Sequence, residues 1–174
     1  MDTERKDGTT FKGNPLTLIG AEVKIGQKAP EFSALAGDLS PVTLANSKGK
    51  TRLIISVPSL DTPVCDAETR RFNEEAAKMS GVETLVISMD LPFAQGRFCQ
   101  TAGIKNLKTL SDHRDASFGR AFGTLIKELR LESRAVFIVD SSDKVQYVEY
   151  VKEMTSHPNY EAALNALKDK ASTR

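Results

Sequence analysis

Pro58-Ser59-Leu60-Asp61-Thr62-Pro63-Val64-Cys65 joins two segments of different period. Before it runs Arg52-Leu53-Ile54-Ile55-Ser56-Val57, apolar, β-branched and of strand length. After it, from Pro63 to Met79, Phe72, Ala76 and Met79 recur at helical spacing among Glu68, Arg70, Arg71, Glu74, Glu75 and Lys78, and Gly81 ends the pattern. The octapeptide is therefore a strand-to-helix junction. Thr62 is a favoured N-cap residue and Pro63 suits the first helical position, so Cys65 falls third in the first turn, beside amides that lack intrahelical partners. Those amides and the helix macrodipole, about half a positive charge, favour thiolate over thiol. Open α/β sheets usually bind ligands in the crevice beyond a strand's carboxyl end, which is where a nucleophile would stand. The alternative is a small buried hydrophobe, with Thr62 as cap alone.

The alternation continues outward from this junction. Thr84 to Met89 reads as a strand, Pro92 to Ala102 as a helix closed by Gly103, Lys108 to Leu110 as a short strand and Asp115 to Phe122 as a helix. Ala135 to Val139 and Val145 to Val151, turned at Ser141 to Lys144, form a hairpin. Pro158 to Lys168 closes the chain with a stripe of Tyr160, Ala163, Leu164 and Leu167. Upstream, Phe11 to Ile25 reads as a small hairpin and Val42 to Leu44 as a strand. This order predicts an α/β, thioredoxin-like fold: a central mixed sheet flanked by helices, with an N-terminal β-hairpin. Residues 1–174 are expected to be one domain, with 1–10 and 171–174 as frayed ends.

Composition narrows function. In 174 residues, 40% are hydrophobic and 27% charged, ordinary globular usage. Lys and Arg number 24 against 23 Asp and Glu, so no basic field draws the chain to nucleic acid. No apolar stretch approaches the roughly 20 residues of a membrane span. The charged opening Asp2-Thr3-Glu4-Arg5-Lys6-Asp7 shows no signal-peptide pattern, and a soluble, cytoplasmic protein is expected. Two cysteines are too few for a stapled scaffold. Cys65 and Cys99 stand 34 positions apart, which excludes a CxxC motif, and His113 and His157 have no zinc-ligand spacing, so neither metal nor cofactor is expected.

Pro58, Thr62 and Cys65 reproduce the P-x-x-x-T-x-x-C motif of the peroxiredoxins, and the chain resembles their thiol peroxidase branch. Further matches are Gly26, Ala29, Pro30 and Phe32 (G-x-x-A-P-x-F), Asp90 to Cys99, and Arg134 to Asp140. The resemblance covers nearly the whole chain. It implies that Cys65 is the peroxidatic cysteine, whose thiolate attacks a hydroperoxide and becomes sulfenic acid. Thr62 would then hydrogen-bond thiolate and substrate oxygen, and Arg134 would stabilise thiolate and developing oxyanion. Pro58 would shield the sulfur from water. Read without the family, Arg134 is equally an exposed strand-end residue and Pro58 a strand terminator. The chain departs from the family forms at Pro63, where glycine is also common, and at Glu132 and Ser133, where apolar residues often stand.

The resemblance further implies that Cys99 is the resolving cysteine, forming an intramolecular disulfide with Cys65, and that the partners are a hydroperoxide, thioredoxin as reductant and a second copy in a homodimer. The alternative for the pair is a permanent structural disulfide, which a reducing cytoplasm would not maintain. A disulfide needs Cα atoms roughly 4.4 to 6.8 Å apart, whereas Cys65 opens one predicted helix and Cys99 lies inside another. The Pro92 to Ala102 helix, and with it the first turn at Cys65, is expected to rearrange between dithiol and disulfide states. Phe93, Phe98, Leu125, Ile126 and Leu129 are candidates for an apolar substrate mouth, with core or dimer interface as the alternative. Two other functional classes use similar chemistry: a peroxide-sensing or holdase-like binding protein on the same scaffold, and a thiol oxidoreductase, which would be expected to carry CxxC.

Overall fold

The computed structural model describes residues 2–171. Strands β1 (Glu4–Phe11) and β2 (Asn14–Ile19) form a hairpin. Its turn residues, Lys12 and Gly13, both have positive φ (49° and 82°), as a two-residue type I′ connection requires. The hairpin therefore lies earlier than Phe11 to Ile25, and residues 4–10 belong to a strand and not to a frayed end. The sequence hid this because β1 is polar and does not alternate. Backbone pairing holds it instead, Thr10 N–H donating to the Lys152 carbonyl at 2.7 Å and Met154 N–H to the Thr10 carbonyl at 2.9 Å, and the Arg5 guanidinium adds a side-chain bond to the Gly123 carbonyl. At the other end, Ala171 closes the last helix and residues 172–174 lie outside the described residues.

The following elements are β3 (Ser33–Leu35), β4 (Pro41–Thr43), a 3-10 turn at Leu44–Ser47, β5 (Thr51–Ser56), α1 (Pro63–Ala76), β6 (Val82–Ser88) and α2 (Pro92–Ala102). Then come β7 (Lys108–Ser111), α3 (Ser117–Phe122), β8 (Leu125–Ile126), β9 (Ala135–Val139), β10 (Val145–Tyr150) and α4 (Tyr160–Ala171). Two strands had no clear signal, β3 and β8. They are three and two residues long, and β8 exists by pairing with β2 in a three-stranded sheet of order β1-β2-β8.

The central sheet has seven strands in the order β10-β9-β5-β6-β7-β3-β4, with β5, β6 and β7 parallel and the flanking pairs antiparallel. This is the expected thioredoxin-like α/β architecture. Side chains of the inner strands alternate between two cores. Ile54, Phe137 and Val139 face Phe32, Phe118 and Phe122, whereas Leu53, Ile55, Val136 and Ile138 face Phe72 of α1 and Ala163, Leu164 and Leu167 of α4. Both faces are covered, as a buried parallel centre demands.

One register places the site. β9 runs antiparallel to β5, with Ser56 opposite Ala135. Arg134, immediately before β9, is thereby level with the chain as it leaves β5 toward Pro58 and Cys65.

Candidate active site

The loop between β5 and α1 is fastened by a single carboxylate. Asp90 accepts from Ser59 Oγ, from Leu60 N–H and from Ser88 Oγ, each at 2.8 Å. Thr62 follows with extended backbone (φ −100°, ψ 147°) and caps α1: its Oγ1 accepts from Cys65 N–H at 3.4 Å and donates to the Ser59 carbonyl at 3.0 Å. Pro63 opens the helix, and Asp66 in the first turn pairs with Arg70 one turn on. Cys65 is thus the third helical residue, as the sequence predicts.

The buried face of α1 is Cys65, Glu68, Thr69 and Phe72. Cys65 is 0% exposed, and its Sγ accepts from Nη2 of Arg134 at 3.2 Å. Arg134, 1% exposed, is no surface residue. Its Nη1 donates to Glu68 Oε2 at 2.5 Å, and its Nε and Nη2 donate to the Met154 carbonyl at 3.2 and 2.8 Å. Burial works against the guanidinium charge, but Glu68 and Cys65 outweigh it and the pKa of Arg134 is raised. Burial pushes the Glu68 carboxyl up to about 7, further than the attraction and hydrogen bond of Arg134 pull it down. Glu68 is a site residue that the sequence reading missed. Its signal was present: a carboxylate one turn beyond Cys65, on the same stripe as Phe72, must be buried and so needs a cation.

Phe11, Pro58, Thr62, Pro63, Val64, Arg134, Met154 and Thr155 line a cleft of about 220 Å³ above this cluster. Pro58 is buried in its wall. The five candidates for an apolar mouth, for which core or dimer interface is the alternative, do not assemble into one. Leu125 and Ile126 are buried in β8, Phe93 and Leu129 are exposed, and Phe98 lines a second cleft between the start of α1 and α2. Phe11, from the hairpin tip, and Met154 take their place. Both are far from Cys65 in sequence and carry no local motif, so only tertiary structure could reveal them. Glu132 and Ser133, where the chain departs from the family forms, are buried: Glu132 accepts from Thr124 Oγ1 at 2.5 Å, and the Ser133 carbonyl accepts from Ser56 Oγ at 2.7 Å.

Cys99 lies in α2, half-buried, with Sγ 3.6 Å from Thr109 Oγ1 on β7. Burial pushes its thiol up, and the Thr109 contact partly opposes this. Both cysteines are free thiols here. His157 is exposed, with Nδ1 2.8 Å from Tyr160 Oη. Among the described residues, no group of three or more His, Cys, Asp or Glu is placed to hold a metal ion, and no helix is long and apolar enough to cross a membrane.

The arrangement joins a sulfur at a helix N-terminus, a buried guanidinium touching it, and a small cleft with mostly apolar walls. It suits attack by sulfur on a small electrophile whose leaving atom gains negative charge close to Arg134.

The chain is similar to known proteins along most of its length. The family model Redoxin matches residues 24–164. The chain is 65% identical over 159 residues to a thiol peroxidase of Halalkalibacterium halodurans, covering 91% of this chain and 96% of that one. It is 58% identical to a thiol peroxidase of Bacillus subtilis, covering 91% and 95%. Among solved structures, a peroxiredoxin-like protein from Aquifex aeolicus superimposes with a TM-score of 0.88 at 44% identity, over 97% of this chain and 98% of that chain.

Proposed function

The chain belongs to the Redoxin family, within which it is a thiol peroxidase of the peroxiredoxin type, and from that premise we propose that Cys65 is the sulfur that meets peroxide and Cys99 the sulfur that resolves it. The observation that carries the reading is the 3.2 Å contact between Arg134 Nη2 and Cys65 Sγ in a site closed to bulk water.

The Cys65 thiolate attacks the terminal oxygen of a hydroperoxide, ROOH. A sulfur–oxygen bond forms, the peroxide bond breaks, and the leaving RO⁻ takes a proton to become water or an alcohol. Sulfur loses two electrons and the peroxide gains them. Arg134, permanently charged, stabilises the thiolate before attack and the oxyanion during it. Thr62 Oγ1 can exchange its bond to the Ser59 carbonyl for one to the incoming oxygen while still accepting from Cys65 N–H. Pro58 limits the water that reaches the sulfur. Phe11, Val64 and Met154 make the cleft hospitable to alkyl as well as hydrogen peroxide.

The Cys65 sulfenic acid then condenses with the Cys99 thiol, forming an intramolecular disulfide and releasing water. Cys99 faces Thr109 from within a helix, so α2 must open for this step, and the first turn at Cys65 adjusts with it. A dithiol reductant, thioredoxin, restores both thiols by exchange. The reading extends to a cytoplasmic location, whose reducing poise keeps both thiols free between turnovers. It extends also to a homodimer, consistent with the exposed apolar side chains of Leu91 and Phe93.

The test is peroxide-dependent NADPH oxidation coupled through thioredoxin and thioredoxin reductase, with hydrogen peroxide and cumene hydroperoxide, comparing wild type, Cys65→Ser and Cys99→Ser. Turnover is expected to vanish in both variants, and one stoichiometric round of peroxide consumption to survive only in Cys99→Ser. Sustained turnover by Cys99→Ser would remove Cys99 from the mechanism. Fast Cys65 oxidation without thioredoxin-driven turnover would favour a sensing role.

A further inference from the structure

The helices that carry the two cysteines differ in how their N-terminal ends are held. α1 has a side-chain N-cap at Thr62, an acidic residue in its first turn, and the i,i+4 pair Asp66 with Arg70. All three are recognised helix-stabilising devices. α2 shares the opening proline and ends on a left-handed Gly103 cap, but it has none of these three: Leu91 at its N-cap makes no side-chain bond, no acid stands in its first turn, and Arg97 is its single charged residue, so no ion pair spans it. At 11 residues it is also too short to persist on intrinsic propensity alone.

Within α2 the fastenings are uneven. Gln95, 1% exposed, donates through Nε2 to Ser88 Oγ at 3.0 Å and to the Leu110 carbonyl at 2.9 Å. Ser88 in turn donates to Asp90, the carboxylate that fastens the Cys65 loop. The first turn of α2 is thus tied to the active-site loop. Directly after this anchor comes Gly96, exposed, mid-helix, with right-handed backbone, and a Cβ built on it would meet nothing within 4 Å. Neither backbone conformation nor close packing calls for glycine there. Beyond it the side-chain contacts are longer, Cys99 Sγ to Thr109 Oγ1 at 3.6 Å and Arg70 Nη1 to the Ala102 carbonyl at 3.3 Å, and the helix end is closed by backbone alone, with the N–H groups of Gly103 and Ile104 both donating to the Cys99 carbonyl.

We propose that Gly96 is a positioning residue for the resolving step: it is the weak point at which α2 opens, with Gln95 as the fixed side of the hinge and residues 97–102 as the part that unwinds to bring Cys99 to Cys65. This rests on the reading of Cys99 as the resolving cysteine. The reaction gated is condensation of Cys65–SOH with Cys99–SH to a disulfide and water, in competition with a second peroxide that converts the same sulfenic acid to sulfinic acid. The frequency with which α2 opens therefore divides sulfenic acid between recovery and overoxidation.

The experiment compares wild type, Gly96→Ala, Gln100→Gly and Cys99→Ser. Gln100 is exposed on the last turns of α2, and glycine there weakens the same segment. Stopped flow separates Cys65 oxidation from disulfide formation, mass spectrometry measures Cys65 sulfinic acid at excess peroxide, and hydrogen exchange of the reduced protein reports opening of residues 97–104. Replacing a solvent-exposed mid-helix glycine by alanine is expected to slow disulfide formation and amide exchange in α2 by about two- to fivefold. It should raise the sulfinic fraction by a similar factor and leave the peroxide oxidation step unchanged. Gln100→Gly should move all three quantities the other way. Slower exchange in Gly96→Ala with an unchanged rate of disulfide formation would overturn the proposal, as would unchanged exchange. Disulfide formation or turnover that survives in Cys99→Ser would instead overturn the reading of Cys99 on which it rests, so the two failures are distinguishable.

Discussion

Nη2 of Arg134 stands 3.2 Å from Sγ of Cys65 while Nη1 of the same guanidinium stands 2.5 Å from Glu68, and all three side chains are sealed from water. One planar fork thus serves a sulfur and its counterion at once, which lysine, with a single point charge, cannot do. Arg134→Lys is expected to keep the charge and lose one of the two contacts, and Arg134→Ala to leave Glu68 buried and unpaired. Removing a preorganised donor of this kind costs about 10²- to 10³-fold in rate, so peroxide oxidation of Cys65 should fall by that order in either variant. At pH 8, where Glu68 is ionised beside Arg134, Arg134→Ala should in addition lose about 3 to 5 kcal/mol of stability, the usual effect of breaking a buried pair. Stopped-flow oxidation and urea unfolding of the two variants check both halves. An Arg134→Lys enzyme as fast as wild type would show that charge alone suffices.

The Glu68 carboxyl, ordinarily near 4.5, is held up to about 7 by burial. The folded chain therefore binds a proton on Glu68 that the unfolded chain has released, throughout the window from 4.5 to 7. Stability contributed by that protonation is complete below 4.5 and is lost as pH rises through 7. Glu68→Gln, always neutral, removes this dependence. Measured as urea midpoints from pH 4 to pH 8, the variant should gain relative to wild type as pH rises, by an amount on the order of 3 kcal/mol across the window. Equal slopes for the two proteins would mean that Arg134 keeps Glu68 ionised throughout. Glu153 runs the other way. Hydrogen bonds from Thr155 and Gly13 hold its carboxyl down to about 2, so its contribution is present above 4.5 and fades as pH falls toward 2. It affects wild type and variant alike.

Thr62 is both cap and candidate catalytic hydroxyl, and substitutions can separate the roles. Thr62→Ser keeps the oxygen that accepts from Cys65 N–H; Thr62→Val keeps the shape and loses it. Loss of the cap costs about 1 kcal/mol, visible as a lowered denaturation midpoint in Thr62→Val. If the hydroxyl also bonds the peroxide, kcat/KM should drop by about 10²-fold or more in Thr62→Val, with Thr62→Ser close to wild type on both measures. A kcat/KM loss no larger than the stability loss accounts for would confine Thr62 to capping.

What the sequence revealed follows the range of the interactions involved. β5, α1, α2 and β9 were legible because each carries its own period, and Cys65 was placed in the first turn because Thr62 and Pro63 are local signals. β1 was not legible. Its polar residues gain their place from Lys152 and Met154, some 140 residues away, and a pattern search has no access to such a pairing. For the same reason Phe11 reads in the sequence only as the start of a small hairpin, and the candidates for the mouth are Phe93, Phe98, Leu125, Ile126 and Leu129, which are apolar but face elsewhere. Arg134 was found through its resemblance to a motif, since its position before a strand fitted exposure equally well. Glu68 could have been inferred from the helical stripe alone, because Cys65 and Phe72 define a buried face on which a carboxylate must be matched.

The hairpin tip gives the last prediction. Phe11, 40% exposed, is the aromatic wall of the cleft over Arg134, and the hairpin that carries it is fixed by the bonds of Thr10 to Lys152 and Met154 and of Gly13 N–H to Glu153 at 2.8 Å. A bulky organic hydroperoxide can cover part of that ring, whereas hydrogen peroxide is too small to touch it while bonded at Cys65. If such a substrate hides about 50 Å² of apolar surface against Phe11, at about 25 cal/mol per Å² the contact contributes about 1.2 kcal/mol, or about eightfold in binding. Phe11→Ala should therefore raise KM for cumene hydroperoxide by roughly that factor and leave the value for hydrogen peroxide within about twofold. The residue is on a hairpin edge and not in a core, so the variant's denaturation midpoint should stay near that of wild type, which separates a wall effect from a loosened hairpin. Equal losses for both peroxides would show that Phe11 acts by holding the hairpin against Met154, whose carbonyl bonds Arg134, and not by meeting the substrate.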